Sequence, residues 1–327
     1  MAKFIIAGAG LSGLSVANML QDRGHDVEVY ETRSCPGGLC RDMFVELETK
    51  EILRVHPFGG HIFHTNNERV WKWVNKWNRW SRHDHRVVAC TKAGFLPVPI
   101  NRQTIKLVGS EERAIELICQ SYTEKMWGIP WTFLPDEVKN RIAIRDDYND
   151  LYFTDKFVAL PINGYASLFD RMAENLDVRY DCKNTEWLWD WADAYIYTGR
   201  LDELHWAKRQ GLRWHTLDFE WSESSTRKHK VINDCLNGSE YIRSIDHSLW
   251  NPGLPDTTLI SKEIARPCGE DDLALYPMPF EKDQNIAKQI KENIPPNIHL
   301  LGRLAEYKYK NMDECVADAF ELAERIG

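Results

Sequence analysis

The sequence predicts an α/β protein: a parallel-sheet unit interrupted by a small helical insertion and an antiparallel β-sheet. Three observations predict it. Lys3 to Glu31 reads as strand, glycine turn, helix and strand. Thr216 to Ile264 carries strand-like runs rather than helical periodicity. The chain closes on an apolar run, a glycine and a helix-patterned tail that return to the first unit.

The first unit carries the most specific signal. Phe4 to Ala7 reads as a buried strand, and Gly8, Gly10 and Gly13 follow at the spacing G-x-G-x-x-G. Leu11 to Gln21 has helical periodicity broken at Gly24, and the second strand, Val27 to Tyr30, ends on Glu31. Each part has a physical task in a Rossmann-like dinucleotide site. Gly8 permits the tight turn, Gly10 lets the backbone approach a pyrophosphate, and Gly13 lets the helix pack on the strand. The helix N-terminus offers free N–H groups to phosphate, and Glu31 can accept from a ribose hydroxyl. A bare glycine turn in an ordinary α/β fold is the alternative reading of this stretch.

The pair Gly37-Gly38 follows, and a second glycine pair just past the ribose-binding acid is common in flavin proteins. Met43 to Val55 reads as a hairpin region. His61 and His64 stand three apart, but no carboxylate or cysteine sits at companion spacing, so no metal pair is expected. A helix is expected from about Glu68 to Trp80, then strands at Arg86 to Ala89 and Gly94 to Val98. Thr104 to Gln120 reads as one or two short helices, and the next helix ends on Gly128. Ile129 to Asn140 contains Pro130 and Pro135 and reads as a loop with a short helical turn, a candidate mobile segment. A strand ends at Pro161, and a helix follows to about Glu174. Strands are expected at Val178 to Tyr180, Tyr195 to Tyr197, Val231 to Asn233, Tyr241 to Ile245, Thr258 to Ile264 and Ile298 to Leu301. Helices are expected at Gln284 to Asn293 and Met312 to Ile326.

Three units emerge. Residues 1–84, 176–215 and 294–327 make the dinucleotide domain. Residues 85–147 make a reduced helical domain with a mobile loop at 129–141. Residues 148–175 and 216–293 make an antiparallel-sheet substrate domain.

Composition narrows the function. Hydrophobic residues make up 43% and charged residues 28%, as in a soluble globular protein. A net charge of −8 argues against a general nucleic-acid binder. No apolar run approaches the roughly 20 residues that a membrane span needs, so a cytoplasmic location and no membrane partner are expected. The eight cysteines are scattered without C-x-x-C, so reduced thiols and no metal are expected. Trp71, Trp73, Trp77 and Trp80, and again Trp187, Trp189 and Trp191, read as packing clusters.

Seven further stretches occur in order along the chain. They are Gly37-Gly38, Gly60-His-Ile-Phe-His-Thr65, Tyr122-Thr-Glu-Lys-Met-Trp-Gly128, Leu151-Tyr-Phe-Thr-Asp155, Pro161-Ile-Asn-Gly-Tyr165, Tyr195-Ile-Tyr-Thr-Gly199 and Gly302-Arg-Leu-Ala-Glu-Tyr-Lys-Tyr309. The set resembles the UDP-galactopyranose mutase family across nearly the whole chain. The blocks at Gly60 and Gly302 are its most specific parts.

The resemblance implies an FAD-binding Rossmann-like domain and an isomerase acting on UDP-galactopyranose. It implies exchange of pyranose and furanose forms through a covalent adduct with N5 of reduced FAD, without net redox change. An external reductant such as NAD(P)H would keep the cofactor reduced. Carried over by position, Arg141 and Arg243 are expected to clamp the diphosphate, and His61 to lie beside the isoalloxazine. Gly8, Gly10, Ser12, Gly13, Glu31, Thr32, Gly37, Gly38, Leu39, Gly60, His61, Ile62, Arg303, Met312 and Asp313 are expected to hold the cofactor. His85, Ile118, Thr123, Trp127, Tyr152, Phe153, Tyr276 and Tyr309 are expected to join the two arginines around the UDP-sugar.

The chain also departs from the family. Only about 20 residues separate Asn101 from Tyr122, where the family carries a longer helical insert that supplies a dimer contact. A monomer or a non-standard dimer is therefore expected. His85 stands where the family has asparagine, Asn311 where it has aspartate, and Arg200 where it has proline. UDP-arabinopyranose and UDP-N-acetylgalactosamine thus stay open as substrates. A flavin amine oxidase-like oxidoreductase and a non-catalytic UDP-sugar-binding homologue share the fingerprint and stay open as functions.

Overall fold

The computed structural model describes residues 1–183, 185–205, 207, 211–251, 253 and 257–327, with the side chains of 186 and 187 left aside. The expectation for Trp187 lies outside the described residues.

The N-terminal fingerprint builds a five-stranded parallel sheet. Its order is Asp177–Arg179, Asp26–Tyr30, Lys3–Ala7, Ala194–Tyr197 and Ile298–Leu300. Phe4 stands opposite Val27 on one side and Ala194 on the other. A parallel sheet must be covered on both faces, which is why these strands are apolar runs. Helix Leu11–Gln21 is buried along almost its whole length, and Leu14, Ala17 and Leu20 share a core with Val316, Ala319 and Leu322 of helix Met312–Ile326. Among the described residues, no helix is long and apolar enough to cross a membrane.

The second large element is a seven-stranded sheet. Its order is Tyr276–Pro277, Trp214–Ser225, Thr257–Pro267, Arg243–Asp246, Val231–Asp234, Val87–Thr91 and Gly94–Val98. Neighbours run antiparallel except Val231–Asp234 and Val87–Thr91, which pair parallel. Pro97 lies on the edge strand, where its missing N–H breaks no ladder.

Several boundaries differ from the sequence reading. The helix expected over 68–80 ends at Val74, and Trp80–Arg82 is a strand. That strand pairs with Phe157–Pro161, which also pairs with Phe63–Thr65. Trp80 packs its ring on Phe63 and Trp71, a tertiary demand that overrides the helical spacing of the tryptophans. Strands Val87–Thr91 and Gly94–Val98 belong to the large sheet, so the helical part of 85–147 begins only at Arg102. Helix Arg102–Val108 and helix Glu111–Ala114 lead into a π-helical turn, Ile115–Gln120. Ser121–Trp127 continues it and stops at Gly128 with φ 65°.

Candidate active site

The dinucleotide cradle is a set of close backbone approaches. The Gly8 amide donates to the Tyr30 carbonyl at 2.7 Å. A Cβ on Gly8, whose φ is +109°, would stand 2.1 Å from Thr198 Oγ1, and one on Gly13 would stand 1.9 Å from the Gly8 carbonyl oxygen. Gly10 precedes the first helix with no side-chain cap, so the first-turn N–H groups stay open to an anion. Glu31 is buried; Oε2 accepts from the Ala9 amide at 2.7 Å and Oε1 from the Arg33 amide at 2.9 Å.

A cavity of about 490 Å³ runs from Glu31 past Gly10 to His61 and Met312. Of the residues expected at the cofactor, Gly8, Gly10, Ser12, Glu31, Thr32, Gly37, Gly38, Leu39, His61, Arg303 and Met312 line it. Gly13 does not line it and packs against the Gly8 carbonyl instead. Gly60 instead packs against Ile245 and Trp250, Ile62 joins a neighbouring apolar core, and Asp313 sits in the first turn of the last helix. Thr198, Cys40, Cys315 and Lys310 line the cavity without having been expected there. Thr198 had a signal, because it closes the stretch Tyr195 to Gly199. Gly302 brings the final strand in: its Cβ would stand 2.5 Å from Ser12 Oγ. The crowded glycines, the open helix end and the buried acid fit an extended dinucleotide.

At the far end of the cavity the His61 amide donates to His56 Nδ1 at 3.0 Å. Burial, then the Arg303 charge, pushes the His61 imidazole down to about 4, so it is neutral near pH 7. Arg303 is itself held by the Lys310 carbonyl, which accepts from Nη2 at 2.7 Å.

Beside this cavity the expected substrate residues converge. The Arg141 guanidinium lies 3.4 Å and that of Arg303 4.6 Å from the Tyr309 ring centre. Tyr276 stacks on Tyr309 with centroids 5.8 Å apart and planes within 7°. Arg243 gives Nε and Nη2 to Glu263 Oε2 at 2.9 and 2.7 Å, and Glu263 is fully buried. Burial alone would push the Tyr309 phenol up; the charges of Arg141, Arg303 and Arg243 outweigh it and hold it below the usual tyrosine value. Tyr152 and Tyr276 are pushed up by burial. So is Tyr122, which feels the Arg243 charge and had not been singled out within its own motif.

The wall opposite is aromatic. Phe153 lies between His64 at 3.9 Å and His85 at 5.7 Å, measured between ring centres. His83 Nε2 sits 3.3 Å from His85 Nδ1, and burial, then His83, pushes His85 down to about 3. Thr123 and Trp127 are buried, and the Trp127 ring lies 5.3 Å from His215. Ile118 does not reach the cleft: the π turn carries it inward, fully buried with Leu117 and Cys119. Glu263 and His83 had no sequence signal; the sheet register and the packing of His85 place them here. His61 and His64 part ways, since His64 pairs with Asp155 at 3.1 Å, and among the described residues no His, Cys, Asp and Glu side chains group as metal ligands.

Comparison with known proteins identifies the family. The model of the UDP-galactopyranose mutase family matches residues 117–309, and a model of NAD(P)-binding Rossmann-like domains matches residues 6–77. A dTDP-fucopyranose mutase of Escherichia coli is 28% identical over 372 positions, covering 99% of this chain and 98% of the relative. A probable UDP-galactopyranose mutase of Klebsiella pneumoniae is 29% identical, covering 98% of this chain and 94% of the relative. Among solved structures, a reduced UDP-galactopyranose mutase shares the fold with a TM-score of 0.76 at 15% identity, over 100% of this chain and 94% of that one. A putrescine oxidase bound to putrescine shares it at 0.59 and 14% identity, over 99% and 98% of the two chains. The first alignment spans 372 positions against 327 residues here, so that relative carries segments this chain lacks. The mutase model spans more than half of the sequence, and the chain belongs to the UDP-galactopyranose mutase family.

Proposed function

We propose that this isomerase-family protein is an FAD enzyme that interconverts the pyranose and furanose forms of a nucleotide sugar, with UDP-galactopyranose as the first candidate. The observation that carries the reading is the meeting of Arg141, Arg243 and Arg303 on stacked Tyr276 and Tyr309, beside a cavity built for an extended dinucleotide.

Bound FAD in its reduced form would supply the nucleophile for the sugar, kept reduced by an outside donor such as NAD(P)H. The chain's own residues do the rest. Arg141 and Arg243 present guanidinium forks to a diphosphate that gains charge as it leaves. Tyr309, made more acidic by three cations, donates a stronger hydrogen bond to a phosphate oxygen. Neutral His61 can donate and accept without adding charge at the far end of the cofactor cavity. The segment at 129–141, which carries Arg141, covers the diphosphate and holds water away while the sugar is detached.

A second reading concerns the substrate alone. The dTDP-fucopyranose mutase aligns with 99% of the chain, so a deoxythymidine nucleotide and a 6-deoxy sugar are direct competitors. Reduced, FAD-loaded protein tested against UDP-galactopyranose, dTDP-fucopyranose, UDP-arabinopyranose and UDP-N-acetylgalactosamine decides it. Furanose from one of them fixes the substrate, and furanose from none of them overturns the reading.

A further inference from the structure

Two buried imidazoles, His56 and His247, stand behind the far end of the cofactor cavity without lining it, whereas His61 lines it. His247 opens the short turn His247–Trp250, which continues the strand Arg243–Asp246. Its Nδ1 accepts the Trp250 indole N–H at 3.1 Å and the His56 amide at 3.3 Å. Both of those groups can only donate, so that nitrogen carries no proton. The proton is therefore on Nε2, 2.9 Å from Ser261 Oγ. His56 repeats the pattern, because its Nδ1 faces the His61 amide at 3.0 Å, another group that can only donate. The hydrogen-bond network thus assigns both rings as neutral tautomers with the proton on Nε2.

Packing fixes the same rings. His56 stacks flat on Trp250, with centroids 4.2 Å apart and planes within 6°. That indole also closes on the loop, since a Cβ on Gly60 would stand 3.2 Å from Trp250 Cζ2 and 3.2 Å from Ile245 Cδ1. A continuous tether results: the turn after Arg243 holds the His56 amide through His247, and the His56 ring holds the His61 amide. A proton on His56 Nδ1 would set two N–H groups against each other and leave the His61 amide without its acceptor. Burial, then His61, His247 and Arg54, holds the His56 ring well below its ordinary value.

We infer that His56 is a positioning residue for His61: held in place by His247 and Trp250, it accepts the His61 amide through Nδ1 and so fixes the His61 ring at the cofactor cavity. Because the tether begins on the turn after Arg243, it also registers His61 against one arginine of the diphosphate clamp. The inference rests on the reading of that cavity as an FAD site. The bland alternative is that His56 only fills space between Trp250 and Tyr165, whose rings lie 4.2 and 5.6 Å from its own.

Two substitutions separate the acceptor from the ring. His56→Asn keeps a side-chain oxygen near the place of Nδ1 but has no ring, whereas His56→Phe keeps a flat ring on Trp250 and accepts nothing. Calorimetric titration with FAD should give His56→Asn a dissociation constant within about threefold of the wild type, and His56→Phe one at least about tenfold weaker. Loss in His56→Asn alone, equal loss in both or loss in neither would overturn the inference. Proton positions give a check that needs no variant. Nitrogen-15 imidazole spectra of the FAD-loaded wild type, assigned through contacts with the Trp250 ring, should show His56 and His247 protonated on Nε2 alone between about pH 6 and pH 8. A proton on His56 Nδ1 in that range would overturn the inference while leaving the cofactor reading intact. A wild type that binds no FAD would remove the cofactor reading and the inference with it.

Discussion

Three guanidiniums crowd one phenol at the heart of the cleft, and such crowding is unfavourable unless an anion arrives. Arg141→Ala or Arg243→Ala should lower kcat/KM by at least roughly 10- to 100-fold, the worth of hydrogen bonds to a charged group. Both variants should keep bound FAD, read by flavin absorbance. Wild-type rates in either would contradict the clamp. The histidines give a pH dependence of defined sign. His61 is pushed down to about 4, and His85 and His247 to about 3, all by burial, with His56 also well below its ordinary value. These rings are neutral when folded and titrate near 6.5 when unfolded, so the unfolded chain binds more protons on acidification. The stability they contribute is whole above about pH 6.5 and declines as pH falls toward 4 and then 3. Thermal unfolding between pH 7.5 and 4.5 should show a falling midpoint; a flat or rising one would contradict the burial of these rings.

Elements show where local sequence decides and where it does not. The fingerprint unit was legible because its strand, turn, helix and acid are contiguous, and Gly13 answers to the Gly8 carbonyl five residues before it. Gly10 and Gly13 should separate by function. A Cβ on Gly13 would collide with the Gly8 carbonyl, so Gly13→Ala should destabilise the fold itself. A Cβ on Gly10 would meet nothing nearer than Gly38 Cα at 3.9 Å, so Gly10→Ala should fold normally yet lose FAD by filling the approach of the pyrophosphate. Thermal unfolding with and without added FAD checks both. Asn311 forms a capping box with Glu314, so Asn311→Ala should cost about 1 kcal/mol of stability. By contrast, the strand Trp80–Arg82 was hidden because its partner lies some eighty residues later, and the tryptophan spacing suits a helix equally well.

At the scale of the molecule the cleft is assembled from segments that share no local pattern. The loop around Gly59 to His61, the helix ending at Trp127, the segment with Arg141 and the strands bearing Arg243, Glu263 and Tyr276 meet only after the seven-stranded sheet has formed. Most named side chains were accessible from sequence through family resemblance, which transfers positions but not neighbours. Glu263 escaped because nothing in Ser261-Lys-Glu263 marks it until the ladder sets it opposite Arg243. Ile118 went the other way, since the π turn that buries it has no sequence signature. Val87 to Val98 was grouped with the helices that follow it in sequence, whereas the parallel pairing with Val231–Asp234 draws it into the sheet. One measurement bears most directly on the whole reading: furanose formation from UDP-galactopyranose and dTDP-fucopyranose, followed anaerobically with oxidised and with dithionite-reduced, FAD-loaded protein. The reading requires furanose from reduced protein over many turnovers with no net consumption of reductant, and none from oxidised protein. Flavin reduction driven by the sugar nucleotide, or the absence of furanose in both states, would contradict it.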